Sequence, residues 1–186
     1  MTATRRTLLT GAAATLLMGA TPRMTDGPFY PRERPHGDDA DLVNGPDVVG
    51  DILHLAGRLL DANGRPVAGG AIEIWQCDGY GTYLREGEID PGFQGFGRAI
   101  CDGEGRFAFR TIVPVPYSGR TPHIHTKVRV GGEARLTTQL FRDGHPQNAD
   151  DFLFRRLNEA ERTSVSMRLQ ARNDAYATDV TLHLPG

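Results

Sequence analysis

Cysteine is nearly absent from this chain: two residues, Cys77 and Cys101, among 186, enough for one disulfide at most. Excess positive charge is missing as well. The 21 basic side chains face 23 acidic ones, a formal net of −2, so there is no basic footprint of the kind that binds nucleic acid phosphates. No apolar run reaches the ~20 residues that a helix needs to cross a bilayer, and neither an internal repeat nor a low-complexity tract marks a second domain. What is abundant is glycine and proline, 23 and 12 residues, which favour many turns between short strands. A chain of this length can enclose one sizeable core.

The N-terminal segment carries its own signal. Thr4-Arg5-Arg6-Thr7-Leu8-Leu9-Thr10 is a twin-arginine head joined to the small-residue run Gly11 to Ala20, and the apolar stretch counted from Leu8 to Ala20 is about 13 residues, too short for a permanent transmembrane anchor. Residues 1–20 are therefore expected to be a twin-arginine export signal, and residues 21–186 a single domain in the periplasm or outside the cell, with no stable membrane insertion after signal removal. Cleavage after Ala20 is compatible with the small residues there, although Met18 departs from the A-x-A pattern. Without that segment the chain loses two basic residues and no acidic one, a net of −4. Export bears on the cysteines. In an oxidising compartment Cys77 and Cys101 could close a loop worth roughly 3 kcal/mol, or they could remain two separate buried thiols; spacing alone leaves both open.

Residues 25–46, rich in Pro, Gly and Asp, are expected to be an irregular arm. Beyond it come apolar segments of strand length: Ile52 to Leu60, Ala71 to Gln76, Gly97 to Cys101, Arg106 to Thr111, His123 to Val130, Thr137 to Phe141 and Asp179 to Leu184, with turns at Asn63-Gly64 and Asp102-Gly103. This spacing predicts an all-β, antiparallel β-sandwich. One short helix is expected over Ala149 to Asn158, where Phe152, Leu153 and Leu157 give an amphipathic turn or two.

The segment Tyr117-Ser-Gly-Arg120-Thr-Pro122-His123-Ile-His125 concentrates the chemistry. On a strand, His123 and His125 leave the same face with Cα atoms about 7 Å apart, so both imidazoles can reach one ion. Pro122 argues against a helix interior. An H-x-H pair alone is equally a polar face or two core histidines. Here Tyr117 lies just upstream in a Pro-rich corner, and Tyr83 closes the earlier segment Ile74-Trp75-Gln76-Cys-Asp-Gly-Tyr80-Gly-Thr-Tyr83. Two tyrosines with two histidines point to iron(III), because a phenol of pKa near ~10 is held ionised at neutral pH only by a strong Lewis acid. Zinc more often gathers Cys, His or carboxylate, and iron(II) two His and a carboxylate.

These residues, together with Gly57-Arg-Leu-Leu-Asp61-Ala-Asn-Gly64-Arg-Pro66-Val67, Gly105-Arg-Phe107-Ala-Phe109-Arg110-Thr111-Ile112 and Thr138-Gln139-Leu140, resemble the intradiol ring-cleavage dioxygenases, in order from about Thr25 to Leu184. The resemblance implies an Fe(3+) site held by Tyr83, Tyr117, His123 and His125, with Tyr117 as the ligand that departs when substrate binds. It implies Arg120 as electrostatic stabiliser and Gln139 as a residue that polarises a bound oxygen, a strand-end cap being its alternative role. The substrates would be a small aromatic diol and O2, and the product a cis,cis-muconate carrying both oxygen atoms. Thr25-Asp26-Gly27-Pro28-Phe29-Tyr30-Pro31 resembles the family's T-x-G-P-Y/F motif over the substrate pocket, which assigns Gly27, Pro28 and Tyr30 to substrate binding.

Departures from better-known members are visible. Only Ser118-Gly119 separates Tyr117 from Arg120, where protocatechuate-type chains carry a longer insert, and the helical segment that builds catechol-type dimers has no counterpart. The chain resembles a small, exported branch, and a homo-oligomer is left open. Trp75 reads as core, Asp78 as a turn residue, and His36, His54, His145 and His183 as surface or turn positions. Two rival readings remain: an exported binding module, transthyretin-like or carbohydrate-binding, since segments such as Gly57 to Gly70 recur there; and a copper or iron protein without ring cleavage.

Overall fold

The computed structural model describes residues 19–31 and 38–186; the twin-arginine head and His36 lie outside the described residues. Alternating sequence becomes strand. β1 (Ile52–Leu60) buries Leu53, Leu55 and Leu59 on one face and exposes His54 and Arg58 on the other. It is followed by β2 (Ala71–Trp75), β3 (Phe96–Ile100), β4 (Arg106–Ile112), β5 (His123–Val130), β6 (Glu133–Arg142), β7 (Ser166–Met167), β8 (Gln170–Arg172) and β9 (Ala175–His183).

The strands form a four-stranded sheet, β4-β1-β9-β8, and a five-stranded sheet, β3-β2-β5-β6-β7. Between them lies one apolar core, built from Leu53, Leu55, Phe107 and Phe109 on one side and Ile72, Ile74, Ile124 and Leu140 on the other. The sandwich is therefore as expected, but not purely antiparallel. β1 runs parallel to β9 and β6 parallel to β7. Alternation fixes which face of a strand is buried and carries no information on the direction of its neighbour.

The irregular arm is partly structural. Arg98 and Arg110 donate backbone N–H groups to Asp39 and Ala40, at 2.7 and 2.9 Å, so residues 39–42 bridge edge strands β3 and β4. The expected helix over 149–158 is corrected. That stretch holds two short 3-10 turns, Pro146–Ala149 and Phe154–Arg156, and the α-helix, α1 (Glu159–Ser164), starts only after it. Asp151 takes the N–H groups of Leu153 and Phe154 on its side chain, both at 3.0 Å, which diverts them from a helical ladder. Asn158 then caps α1 in a reciprocal capping box with Glu161.

β2 is buried along its whole length, although only one of its faces meets the sandwich core. Ile72 and Ile74 point inward; Glu73 and Trp75 point outward and are still 0% and 1% exposed. Something covers the outer face of the five-stranded sheet, and the candidate site lies there.

Candidate metal centre

β5 is flanked by β2 and β6, and the register sets Trp75, His125 and Gln139 side by side across three strands. His123 and His125 share the outer face, as the H-x-H spacing requires, and both are 3% exposed. Their Nε2 atoms are 3.2 Å apart, and the Tyr83 hydroxyl is 3.3 Å from His123 Nε2. His123 Nδ1 lies 2.7 Å from the Thr121 carbonyl. A carbonyl only accepts, so Nδ1 carries the proton and the Nε2 lone pair faces the other donors, the arrangement typical of a metal-ligating histidine.

Tyr83 is delivered by a loop that Asp78 organises. The Asp78 carboxylate accepts backbone N–H groups of Tyr80, Thr82 and Asp90 at 2.9–3.0 Å, so its turn role is the one anticipated. Tyr117 and Arg120 are joined by a tight hairpin in which Ser118 and Gly119 take φ of 41° and 78°, the positive pair that a two-residue hairpin turn requires. The Tyr117 ring meets Tyr83 edge-on, centroids 5.0 Å apart, and unlike Tyr83 it is partly exposed.

Burial pushes the Tyr83 phenol far above its ordinary range, with Cys77 adding to the shift and Arg120 opposing it. Tyr117 is raised for the same first reason, with Glu86 second. Burial, then Arg120, lowers His123 to about 4, and burial together with His123 holds His125 well below its ordinary value. At neutral pH the pocket thus contains neutral imidazoles and neutral phenols.

The donor set fits a strongly Lewis-acidic cation. His125 Nδ1 is buried without a hydrogen-bond partner among the described residues, so one proton on His125 cannot satisfy both ring nitrogens. With the proton on Nδ1, the Nε2 lone pairs of both histidines face each other at 3.2 Å, a repulsion that a cation would convert into coordination. No cluster of three His, Cys, Asp or Glu exists among the described residues, so a metal here has to draw on phenols.

Arg120 is brought to the same pocket. Its Nη2 donates to Gln139 Oε1 at 2.7 Å and its Nε to Asp151 Oδ2 at 2.6 Å. Gln139 pairs with His125 in mid-strand, which rules out the strand-end cap. The arm covers the site. A Cβ on Gly27, whose φ is +69°, would stand 3.2 Å from His125 Cε1; Phe29 stacks on Tyr83 at 4.6 Å and meets Tyr117 edge-on; and the Pro28 carbonyl accepts from Arg85. Tyr30 is turned away. Its hydroxyl donates to buried Glu73 at 2.7 Å and its ring packs edge-on against Trp75. Trp75, expected as core, is buried but on the site side of the sheet, outside the core between the sheets, and stacks on His125 at 4.8 Å, interplanar angle 10°.

Asp151 and Thr121 were not anticipated as site residues, whereas Phe29 lies inside the Thr25–Pro31 motif read as covering the pocket. Thr121 lies within the Tyr117–His125 segment without a role of its own there, and Asp151 leaves only a local turn signal, an acid ahead of two donor N–H groups. His54 is exposed and His145 caps the first 3-10 turn, but His183 is buried rather than on the surface, because β9 places it under the N-terminal segment, where its N–H donates to Thr21 Oγ1. Cys77 and Cys101 are free and sit in separate apolar clusters, so the disulfide alternative is overturned.

A buried set of tyrosine and histidine donors on the outer face of a β-sandwich defines a narrow class of protein, and comparison with known proteins gives it a family. A family profile described as "Dioxygenase" matches residues 25–183. Catechol 1,2-dioxygenase 2 of Acinetobacter lwoffii is 35% identical over 155 residues, covering 73% of this chain and 56% of that protein. The protocatechuate 3,4-dioxygenase beta chain of Burkholderia cepacia is 33% identical over 148 residues, 72% of this chain and 62% of that one. Among solved structures, the dioxygenase domain of a dioxygenase and carbohydrate-binding fusion from Streptomyces sp. SirexAA-E superposes with a TM-score of 0.74 at 29% identity, covering 89% of this chain and 98% of that one. The chain belongs to the intradiol ring-cleavage dioxygenase family. It spans roughly half to two thirds of the length of the curated relatives it matches.

Proposed function

We propose that this protein cleaves the ring of a catechol-type diol between its hydroxyl-bearing carbons, using O2 and a non-haem Fe(3+) held by Tyr83, Tyr117, His123 and His125, to give a cis,cis-muconate. The observation that carries the reading is the convergence of the Tyr83 hydroxyl and two neutral imidazole Nε2 atoms within 3.3 Å contacts, with Tyr117 beside them, in a chain of this family. When bound, Fe(3+) supplies the Lewis acidity that keeps phenols and diol ionised and draws electron density from the ring toward O2.

The residues divide the work. His123, oriented by Thr121, and His125, backed by the Trp75 face, present lone pairs and lose none to protonation at neutral pH. Tyr83, deeply buried, is the fixed phenolate. Tyr117, on a hairpin and partly exposed, is the phenolate able to swing away and take a diol proton on its Oη. Arg120 offsets negative charge growing on the ring and its oxygens, and Gln139, fixed by Arg120, orients an oxygen atom. Gly27 and Pro28 let the arm backbone approach the ring plane, while Phe29 and Trp75 exclude water.

The test is a visible spectrum of the iron-loaded protein before and after anaerobic addition of catechol, followed by oxygen uptake. A broad band that shifts with catechol, then stoichiometric uptake and a muconate product, is expected. A folded, iron-loaded protein without a band would remove the phenolate site and return weight to a binding module. A band without uptake would leave a metal protein that does not cleave rings.

Export by the twin-arginine route rests on Arg5-Arg6 and the apolar run behind them. Replacing both arginines by lysine should retain the protein in the cytoplasm on cell fractionation; unaltered export would sink that route.

A further inference from the structure

Asp151 is a carboxylate only 1% exposed, a placement tolerated where donors saturate it. Its two oxygens divide their partners, with Arg120 alone reaching both, since its Nη2 also stands 3.5 Å from Oδ1. Oδ1 takes the N–H groups of Leu153 and Phe154 at 3.0 Å each and so shapes the turn. Oδ2 holds two consecutive residues at the entrance to β5: it accepts from Arg120 Nε at 2.6 Å and from the Thr121 backbone N–H at 3.2 Å. Burial alone would raise the carboxyl, but Arg120 and the backbone N–H groups outweigh it and hold it below the usual carboxylate range.

Both residues held by Oδ2 lead into the site. The Thr121 carbonyl orients His123 through Nδ1 at 2.7 Å. The Arg120 guanidinium is fixed along one edge by Asp151 and Gln139, and its face lies 4.9 Å from the ring centre of Phe152, the neighbour of Asp151. Its Nη1 is left without a protein partner among the described residues. An arginine held on two sides surrenders little further freedom when charge develops next to it, whereas a free one would have to be ordered at that moment.

We propose that Asp151 is a positioning residue for the ring-cleavage site: its Oδ2 locks the Arg120 guanidinium and the Arg120–Thr121 backbone together, so that one carboxylate aligns both the electrostatic stabiliser and the imidazole of His123. This rests on the ring-cleavage reading above. Nothing in the H-x-H motif encodes it, since the acid arrives from the loop after β6, 30 residues beyond Thr121.

Asp151→Asn separates the two functions of the side chain. The amide oxygen can still serve Leu153 and Phe154, while the amide NH2 would meet both Arg120 Nε and the Thr121 N–H donor to donor. Turnover should fall about 10- to 100-fold with KM little changed, and iron content and the visible band should persist. In an Arg120→Ala background the same change should cost clearly less, because the part that passes through Arg120 is already lost and only the part through Thr121 and His123 remains. An equal loss in both backgrounds would mean a merely structural acid and would overturn the proposal.

A second readout needs neither turnover nor metal. In nitrogen-15 spectra of the metal-free protein, the Arg120 Nε–H should be a discrete, exchange-protected signal that is lost in Asp151→Asn. Rapid exchange in the wild type would overturn the proposal even if the variant did not fold. Wild type that turns over diols, with unchanged turnover in Asp151→Asn, sinks the positioning role alone; wild type inert to diols with the protected signal intact sinks the ring-cleavage reading on which it rests.

Discussion

At the residue scale the proposed metal site is a problem of keeping neutral donors ready for a cation. Tyr83 is the phenol that burial most strongly opposes ionising, so any phenolate there reports bound metal. Tyr83→Phe should leave the fold largely intact, since Phe29 still has a ring to stack on, and should weaken or shift the visible band of the iron-loaded protein; an unchanged band would exclude Tyr83 as ligand. The histidines give a pH dependence. His123 is held at about 4 in the folded chain, against about 6.5 unfolded. The folded state therefore binds fewer protons, and this contribution to stability is complete above about pH 6.5 and is lost as pH falls through about 4. Thermal midpoints of the metal-free protein should decline across that window, and the decline should be shallower in His123→Gln. Tyr117, His123 and His125 were legible because their side-chain types are rare in such proximity, whereas Tyr83, Arg120 and Gln139 took their roles from motifs that resemble the family; the fold brings the six into one region. Asp151 was not legible, because its meaning comes from a loop folding back onto β5, and no local pattern records that return.

At the element scale the arm is the part whose purpose the sequence only suggested. It is fastened by Lys127, the single lysine of the chain, whose Nζ pairs with Asp26 at 2.7 Å and lies over the Tyr30 ring at 3.6 Å. Gly27 at φ +69° brings its backbone against His125. Gly27→Val should lift the arm, combining a conformation that β-branched residues avoid with a clash at the imidazole. Lys127, 6% exposed at its side chain, should then become far more reactive toward an amine acylating reagent, read by mass spectrometry; equal labelling of both proteins would show that the arm does not depend on that glycine. The long strands were legible from alternation. β7 and β8, two and three residues long, carry too few positions to show a period. The helix was misplaced because Phe152, Leu153 and Leu157 looked amphipathic while Asp151 was competing for the same N–H groups.

At the scale of the whole molecule, covalent cross-links contribute nothing. Cys77 belongs to the aromatic cluster beneath the site and Cys101 to the inter-sheet core, and burial raises their thiols to about 12 and about 11. A reducing agent should therefore leave the thermal midpoint of the protein unchanged; a lowered midpoint would reveal a disulfide. Cohesion comes instead from the apolar core between the sheets and from the strand ladders within them, among them the β1–β9 pair, in which all nine residues of β1 have partners and the strands run the same way. That direction has a mechanical meaning. β1 is reached from the N-terminal side and β9 leads to the C-terminal side, so tension between the two ends pulls these strands along their lengths in opposite senses. The ladder is then loaded in shear, its bonds have to yield together instead of unzipping one by one, and the sandwich resists stretching far better than an antiparallel closure of the same size would.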